Sequence, residues 1–162
     1  MEIRTARSDE LTQAGKLTLA AYSTLPDFVE SDPDGYSEVL LDASARAVDA
    51  DVVVAVEDGV MLGCVTYVGD ASSAMSEWED VEAAGFRMLA VAPEAMGRGV
   101  GRALAHYCVE RARLEGKARV LLHSTPFMTA AHRLYASLGF ERFPEIDFAV
   151  DPVELLGFRL ML

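Results

Sequence analysis

Cysteine, histidine, tryptophan and basic side chains are all scarce in this 162-residue chain, and each shortage excludes something. The two cysteines, Cys64 and Cys108, are too few for a disulfide scaffold and are not spaced as a metal knuckle, so two buried thiols in a reducing compartment are expected. His106, His123 and His132 share no metal-ligand spacing, and no metal is expected. No apolar run approaches membrane-spanning length, and the opening MEIRTARSDE lacks the apolar core of a signal peptide. A cytoplasmic protein with no membrane partner is therefore expected. With 14 Lys+Arg against 26 Asp+Glu the net charge is −12, which argues against nucleic acid or an anionic membrane surface as partner. Low-complexity tracts, linkers and internal repeats are also missing, so residues 1–162 read as a single domain.

What is present is a globular composition, 51% hydrophobic and 25% charged, with an uneven charge distribution. Residues 1–95 hold 5 Lys/Arg and 19 Asp/Glu, whereas residues 96–162 hold 9 and 7. An anionic ligand is expected on the second half and a cationic one on the first. EIRTA reads as an edge strand, followed by a helix from about Asp9 to Thr24 that Ser8 can cap and Pro26 ends. Residues 27–50 read as a loop and a second helix. DVVVAVEDGVMLGCVTYV reads as a hairpin turning at Asp58-Gly59. FRMLAVA is a strand that stops at Pro93. Apolar positions at Val100, Ala103, Leu104, Tyr107 and Cys108 predict a helix that Gly116 ends. ARVLLHS is a further strand. Thr125-Pro126 suit the cap and first turn of a last helix with Phe127, Ala131, Leu134, Tyr135 and Leu138 on one face, and VELLGFRLML closes the chain as a strand. The class is mixed α/β, a central mixed sheet flanked by helices.

Between the strand at Phe86 and the helix at Val100 lies MGRGVG, residues 96–101. Strand, glycine-rich segment, helix is a layout in which backbone N–H groups converge on a phosphate, with glycine keeping side chains away from the amides. A P-loop would need Gly-Lys followed by Ser or Thr, and Gly101 is followed by Arg102-Ala103. A dinucleotide fold would need GxGxxG after its first strand, and here GxGxG comes late.

LAVAPEAMGRGVGRAL instead resembles the acyl-CoA pyrophosphate loop of the GNAT acetyltransferase superfamily, a strand ending in Val-x-Pro followed by Gln/Arg-x-x-Gly-x-Gly/Ala. AAHRLYASLGF is similar to that superfamily's second landmark, a helix ending Leu-Tyr-x-x-Leu-Gly-Phe, about thirty residues on. The resemblance implies a GNAT-like fold and transfer of an acetyl group from the cosubstrate acetyl-CoA to an amine in a ternary complex. Leu89, Ala90 and Val91 would line the cosubstrate from the strand end. The amides of Met96, Gly97, Arg98, Gly99, Val100, Gly101 and Arg102 would hold the pyrophosphate, with the Arg98 and Arg102 side chains adding positive charge. The Leu89 backbone N–H would stabilise the thioester oxygen as it gains charge, and Tyr135 would protonate the departing thiolate.

Three positions depart from the pattern. Many relatives carry a glutamate base four residues before the position of Leu89, where this chain has Gly85; Glu82 and His123 are the substitutes considered. Met96 stands at the Gln/Arg position of the loop, and Met128 where many relatives have asparagine. The acceptor is expected against the first half, with Tyr22, Phe28 and Tyr36 offering rings and Glu30, Asp32, Asp34 and Glu38 offering charge. A small cationic amine or an amino-terminal group follows from the charge balance. Two other readings are a non-catalytic acyl-CoA binding or sensing domain, and a protein lysine or N-terminal acetyltransferase. The apolar final strand could support a homodimer by edge pairing.

Overall fold

The computed structural model describes residues 1–25, 28 and 35–162. The elements run β1 (Glu2–Thr5), α1 (Leu11–Tyr22), α2 (Tyr36–Leu41), α3 (Ala43–Asp49), β2 (Asp51–Glu57), β3 (Val60–Val68), β4 (Ala83–Val91), α4 (Val100–Leu114), β5 (Arg119–Ser124), α5 (Thr129–Ser137), β6 (Glu141–Arg142), β7 (Phe148–Val150) and β8 (Val153–Met161). The strands form one eight-stranded sheet in the order β1-β2-β3-β4-β5-β8-β6, with β7 also paired to β8. Only β4 and β5 run parallel.

Strand alternation divides the core between the two faces of this sheet. Val53, Val65, Ala84, Phe86, Val120 and Leu122 face α4 and α5, meeting Val100, Leu104, Cys108 and Tyr135. Val52, Val54, Met61, Cys64 and Ala90 face the other way, onto Ala14 of α1 and Ala43 of α3. The hairpin of β2 and β3 turns at Asp58 and Gly59, with φ of 51° and 78°, the left-handed pair that matches strand twist. Both cysteines are free and buried, as expected.

Elsewhere the boundaries shift for local reasons. Ser8 makes no cap bond: a short 3₁₀ turn, Ser8–Glu10, precedes α1, and the Glu10 carboxylate instead accepts the Arg7 N–H at 2.7 Å while bonding Arg4 at 2.7 and 2.8 Å. Within the described part of 27–50 there are two short helices, parted at Asp42, whose carboxylate accepts the Ala45 N–H at 2.9 Å and starts α3. Helix α5 begins at Thr129, four residues after Thr125, and the Thr125 hydroxyl has no hydrogen-bond partner. The expected Thr-Pro cap is therefore corrected, since residues 125–128 turn before the helix starts. Strand β8 lies between β5 on one side and β6 and β7 on the other. Over most of its length this strand therefore has a neighbour, and a side without a ladder partner is left only near its ends, as at Leu160–Met161 beside β6.

Candidate active site

Strands β4 and β5 are joined only from Ala83↔Arg119 to Gly85↔Leu121; beyond Gly85 no β5 register is formed and the edge of β4 opens. On its other side β4 carries a bulge. The β3 register passes from Cys64↔Ala90 to Thr66↔Arg87, so that Val65 faces two residues, Met88 and Leu89, and Met88 has φ +55°. A left-handed methionine is a costly backbone state, held here by the ladder on both sides. The bulge interrupts alternation: Phe86 and Leu89 pack toward α4 and α5, while Arg87 and Met88, adjacent in sequence, both line a cavity on the opposite face.

On the α4 face the glycine segment leads into the helix. Gly97 and Gly99 have φ of 76° and 79°, and an added Cβ at either would meet nothing within 4 Å. Among the described residues the N–H groups of Gly97, Gly99, Val100, Gly101 and Arg102 donate to no protein acceptor, so five amides stand free at the helix start. Two of the expected amides are engaged within the protein. The Met96 N–H is used on the Pro93 carbonyl and the Arg98 N–H on the Ala95 carbonyl, both at 3.3 Å, because a 3₁₀ turn at Pro93–Ala95 precedes the glycines. The Arg98 guanidinium pairs with Glu57 of β2, and Arg102 Nη1 donates to Ser137 Oγ at 2.6 Å, tying α4 to α5. Gly101 lies against Val91, Leu134 and Leu89, where a Cβ would make ordinary contacts at 3.4 to 4.0 Å. An open cradle of amides with a left-handed, side-chain-free turn fits the pyrophosphate of acetyl-CoA.

Tyr135 projects from α5 into the core, 5% exposed, with ring centroids 5.9 Å from Phe86, 5.9 Å from Phe140 and 6.1 Å from Phe158. Burial pushes its phenol well above the ordinary range, so the group keeps its proton and can donate it.

The cavity on the other face has a volume of about 420 Å³. Tyr22, Phe28 and Tyr36 line it, as the sequence predicts for the acceptor; Glu38 is exposed on α2, and Glu30, Asp32 and Asp34 lie outside the described residues. Desolvation raises the phenols of Tyr22 and Tyr36. The described lining also carries Glu77, Arg87, His123 and Asp151, three of which form a chain: Arg87 Nη2 to Glu77 Oε1 at 2.8 Å, Glu77 Oε2 to His123 Nδ1 at 3.0 Å, and His123 Nε2 to the Ile146 carbonyl at 2.7 Å. Arg87 Nη1 donates to the Met75 carbonyl at 3.1 Å, while its Nε and the hydroxyls of Ser124 and Thr125 lack partners. Arg87 and Glu77 are functional candidates that sequence reasoning missed; Arg87 was legible as the lone basic residue within the strand next to the signature, Glu77 was not.

Of the two substitute bases considered, neither stands free. Glu82 precedes the first residue of β4, about 20 Å along the strand from the bulge, and pairs with Arg119 at 3.2 Å. His123 does reach the cavity, but both ring nitrogens are engaged. The space of a side chain at residue 85 is filled: a Cβ there would lie 2.2 Å from Trp78 Cη2 and 2.3 Å from the Leu121 carbonyl oxygen. Among the described residues no group of three His, Cys, Asp or Glu could hold a metal, and no helix is long and apolar enough to cross a membrane.

Comparison with known proteins agrees with this geometry. Over its full length the chain is similar to the ribosomal-protein-alanine N-acetyltransferase of Brucella melitensis, with a TM-score of 0.72, 20% identity and all of that chain covered. It is also similar to a putative acetyltransferase from Salmonella typhimurium solved with its cofactor acetyl-CoA, with a TM-score of 0.70, 22% identity, and 100% of this chain and 94% of that one covered. In sequence it is 33% identical over 113 residues to the N-acetylaspartate synthetase of Danio rerio, covering 66% of this chain and 37% of that protein. It is 35% identical over 99 residues to the same-named protein of Rattus norvegicus, covering 61% and 30%. The chain thus spans about a third of the length of the curated relatives it matches. Residues 19–140, which hold the bulged strand, the glycine turn and Tyr135, match the model of the acetyltransferase (GNAT) family, and the chain belongs to that family.

Proposed function

We propose that this protein moves the acetyl group of acetyl-CoA to the amine of a small acceptor that also carries a carboxylate. The observation that carries this reading is the opened, bulged end of β4, with free amides on one face and a cavity holding Arg87 on the other. Acetyl-CoA, when bound, supplies an activated acetyl thioester. Gly97 and Gly99 to Arg102 would hold its pyrophosphate by backbone N–H groups. The opened edge of β4 at Leu89, Ala90 and Val91 would pair with its amide-bearing arm in the manner of an added strand. The Leu89 N–H, at the bulge, is the donor assigned to the acyl oxygen, and Tyr135 is the acid assigned to the sulfur. The acceptor would lie among Tyr22, Phe28 and Tyr36 with its carboxylate on Arg87, whose side chain lines the cavity.

The first-half acidity predicts a cationic acceptor, but charge balance along a sequence did not weigh Arg87 inside the cavity. An α-amino acid satisfies both features, offering an amine to the acidic side and a carboxylate to the arginine. The relatives named for N-acetylaspartate synthesis support an amino acid of this kind.

Calorimetric titration of acetyl-CoA into the protein, beside Gly99→Ala and Gly99→Glu, tests the cosubstrate half. Both variants share the strain of a side chain at φ +79°, so the expected result is weakened binding by the alanine variant and none by the glutamate variant. Equal binding by all three refutes the loop assignment. Thiol release with L-aspartate tests the acceptor half, and release at the background rate refutes it.

A further inference from the structure

We infer that His123 is the specificity-determining residue of the acceptor cavity: by sharing a proton with Glu77 it cancels that carboxylate, leaves the charge of Arg87 uncompensated, and so makes the cavity favour an acceptor that carries a carboxylate. This deepens the proposed acceptor assignment and rests on the acceptor lying in that cavity. The His123 side chain is 1% exposed, that of Glu77 15% and that of Arg87 20%. Three contacts fix the imidazole: Glu77 Oε2 on Nδ1 at 3.0 Å, the Ile146 carbonyl on Nε2 at 2.7 Å, and the near-perpendicular ring of Phe148 with centroids 4.8 Å apart.

The hydrogen bonds set the number of protons. The Ile146 carbonyl can only accept, so His123 Nε2 carries a hydrogen. A second proton lies between His123 Nδ1 and Glu77 Oε2, since two lone pairs would otherwise face each other. Whichever atom holds it, His123 and Glu77 together have no net charge, and Arg87, bonded to Glu77 Oε1 at 2.8 Å, keeps its own. Asp147, next to Ile146, is paired with Arg142 at 2.8 Å and adds nothing to the sum. Asp151, the other acid of the described lining, is exposed between β7 and β8, where water screens it. The positive charge lies in the less hydrated wall, where the lower dielectric extends its reach to a bound anion. Had Glu77 been ionised beside a neutral imidazole, it would have cancelled most of that attraction.

Two substitutions separate charge from shape. In Glu77→Gln the glutamine carbonyl accepts from Arg87 Nη2 and its amide donates to His123 Nδ1, so the bonds are kept, the imidazole is neutral and the cavity charge is unchanged. In His123→Asn an amide N–H replaces Nδ1–H, Glu77 is left ionised, and the cavity charge falls by one. In the double variant the two amides bond each other and the original charge returns. Capillary electrophoresis at neutral pH counts these charges, with the exposed Glu79→Gln as the reference for one whole charge. Glu77→Gln and the double variant are expected to migrate with the wild type, and His123→Asn to be one charge more negative. The ratio of kcat/KM for L-aspartate to that for L-asparaginamide, which lacks both carboxylates, should fall about tenfold in His123→Asn, and stay within about twofold of the wild type in Glu77→Gln and in the double variant. Glu77→Gln suffices if His123→Asn does not fold. A Glu77→Gln protein that migrates like Glu79→Gln, or whose ratio rises about tenfold, lacks the shared proton and overturns the inference. Expected mobilities with a His123→Asn ratio equal to the wild type, or with no recovery in the double variant, overturn the role of His123 alone. Expected mobilities with no wild-type turnover of aspartate overturn the acceptor assignment and the specificity role with it.

Discussion

Restoring the absent β4 carboxylate by Gly85→Glu is expected to damage the fold before it can aid catalysis, and Gly85→Ala measures why. The alanine Cβ would sit 2.2 Å and 2.8 Å from two atoms of the Trp78 indole and 2.3 Å from the Leu121 carbonyl oxygen. The first obstacle is a buried side chain, 8% exposed and packed with Val68, Ala83 and Leu121. The second is the backbone of β5, held in register with Gly85 by the parallel ladder. Overpacking of this kind costs about 1–3 kcal/mol where side chains can yield, and the strand backbone yields least, so about 3 kcal/mol is expected. For a domain of this size that is a fall in Tm of about 6–12 °C by calorimetry. In a Trp78→Ala background the Gly85→Ala step should cost less but not vanish, because the carbonyl obstacle remains; a double-mutant cycle reads the difference. A Gly85→Ala protein melting within about 2 °C of the wild type would refute the packing account and reopen residue 85 to a catalytic side chain.

Three further outcomes concern Tyr135 and Glu10. Tyr135→Phe removes only a hydroxyl, so kcat should fall at least about 100-fold while acetyl-CoA affinity stays within about threefold; unchanged kcat refutes the acid assignment. Because burial raises the Tyr135 phenol, its protonated form should persist through alkaline pH, and the pH profile of kcat should show no loss attributable to it below about pH 10. Glu10 is shifted the opposite way. The Arg4 hydrogen bonds hold its carboxyl down to about 2, so its contribution is fully present above the unfolded pKa near 4.5 and is lost as pH falls toward 2. Glu10→Gln should therefore melt below the wild type at neutral pH and converge with it near pH 2. A difference independent of pH would show that packing, not charge, is responsible.

Local chemistry made much of this protein legible in its sequence. Asp58-Gly59 specified the hairpin turn because few other pairs accept two left-handed residues. The glycines at 97, 99 and 101 marked the helix start, and the spacing of Val100, Leu104 and Cys108 fixed the face that α4 buries. Tyr135 was legible as a ring on an apolar stripe. Each of these signals lies within a few residues of its effect. The Thr125-Pro126 pair shows the limit: the residues suit a cap, yet the chain is drawn into a turn there and the helix starts later.

The tertiary structure alone decided the rest, since it depends on pairing between distant segments. The bulge exists because β3 and β4 differ by one residue in register, and that difference sends Arg87 and Met88 to one face against the alternation a sequence reader applies. Glu77 meets Arg87 and His123 only because the segment after β3 folds back beside β4, ten residues from the arginine in sequence and 46 from the histidine. Trp78 fills the place of a side chain at Gly85 for the same reason. Conformational preference is written residue by residue and can be read so. Which charges share a cavity is fixed by contacts between segments far apart in the chain, and those appear only when the sheet has formed.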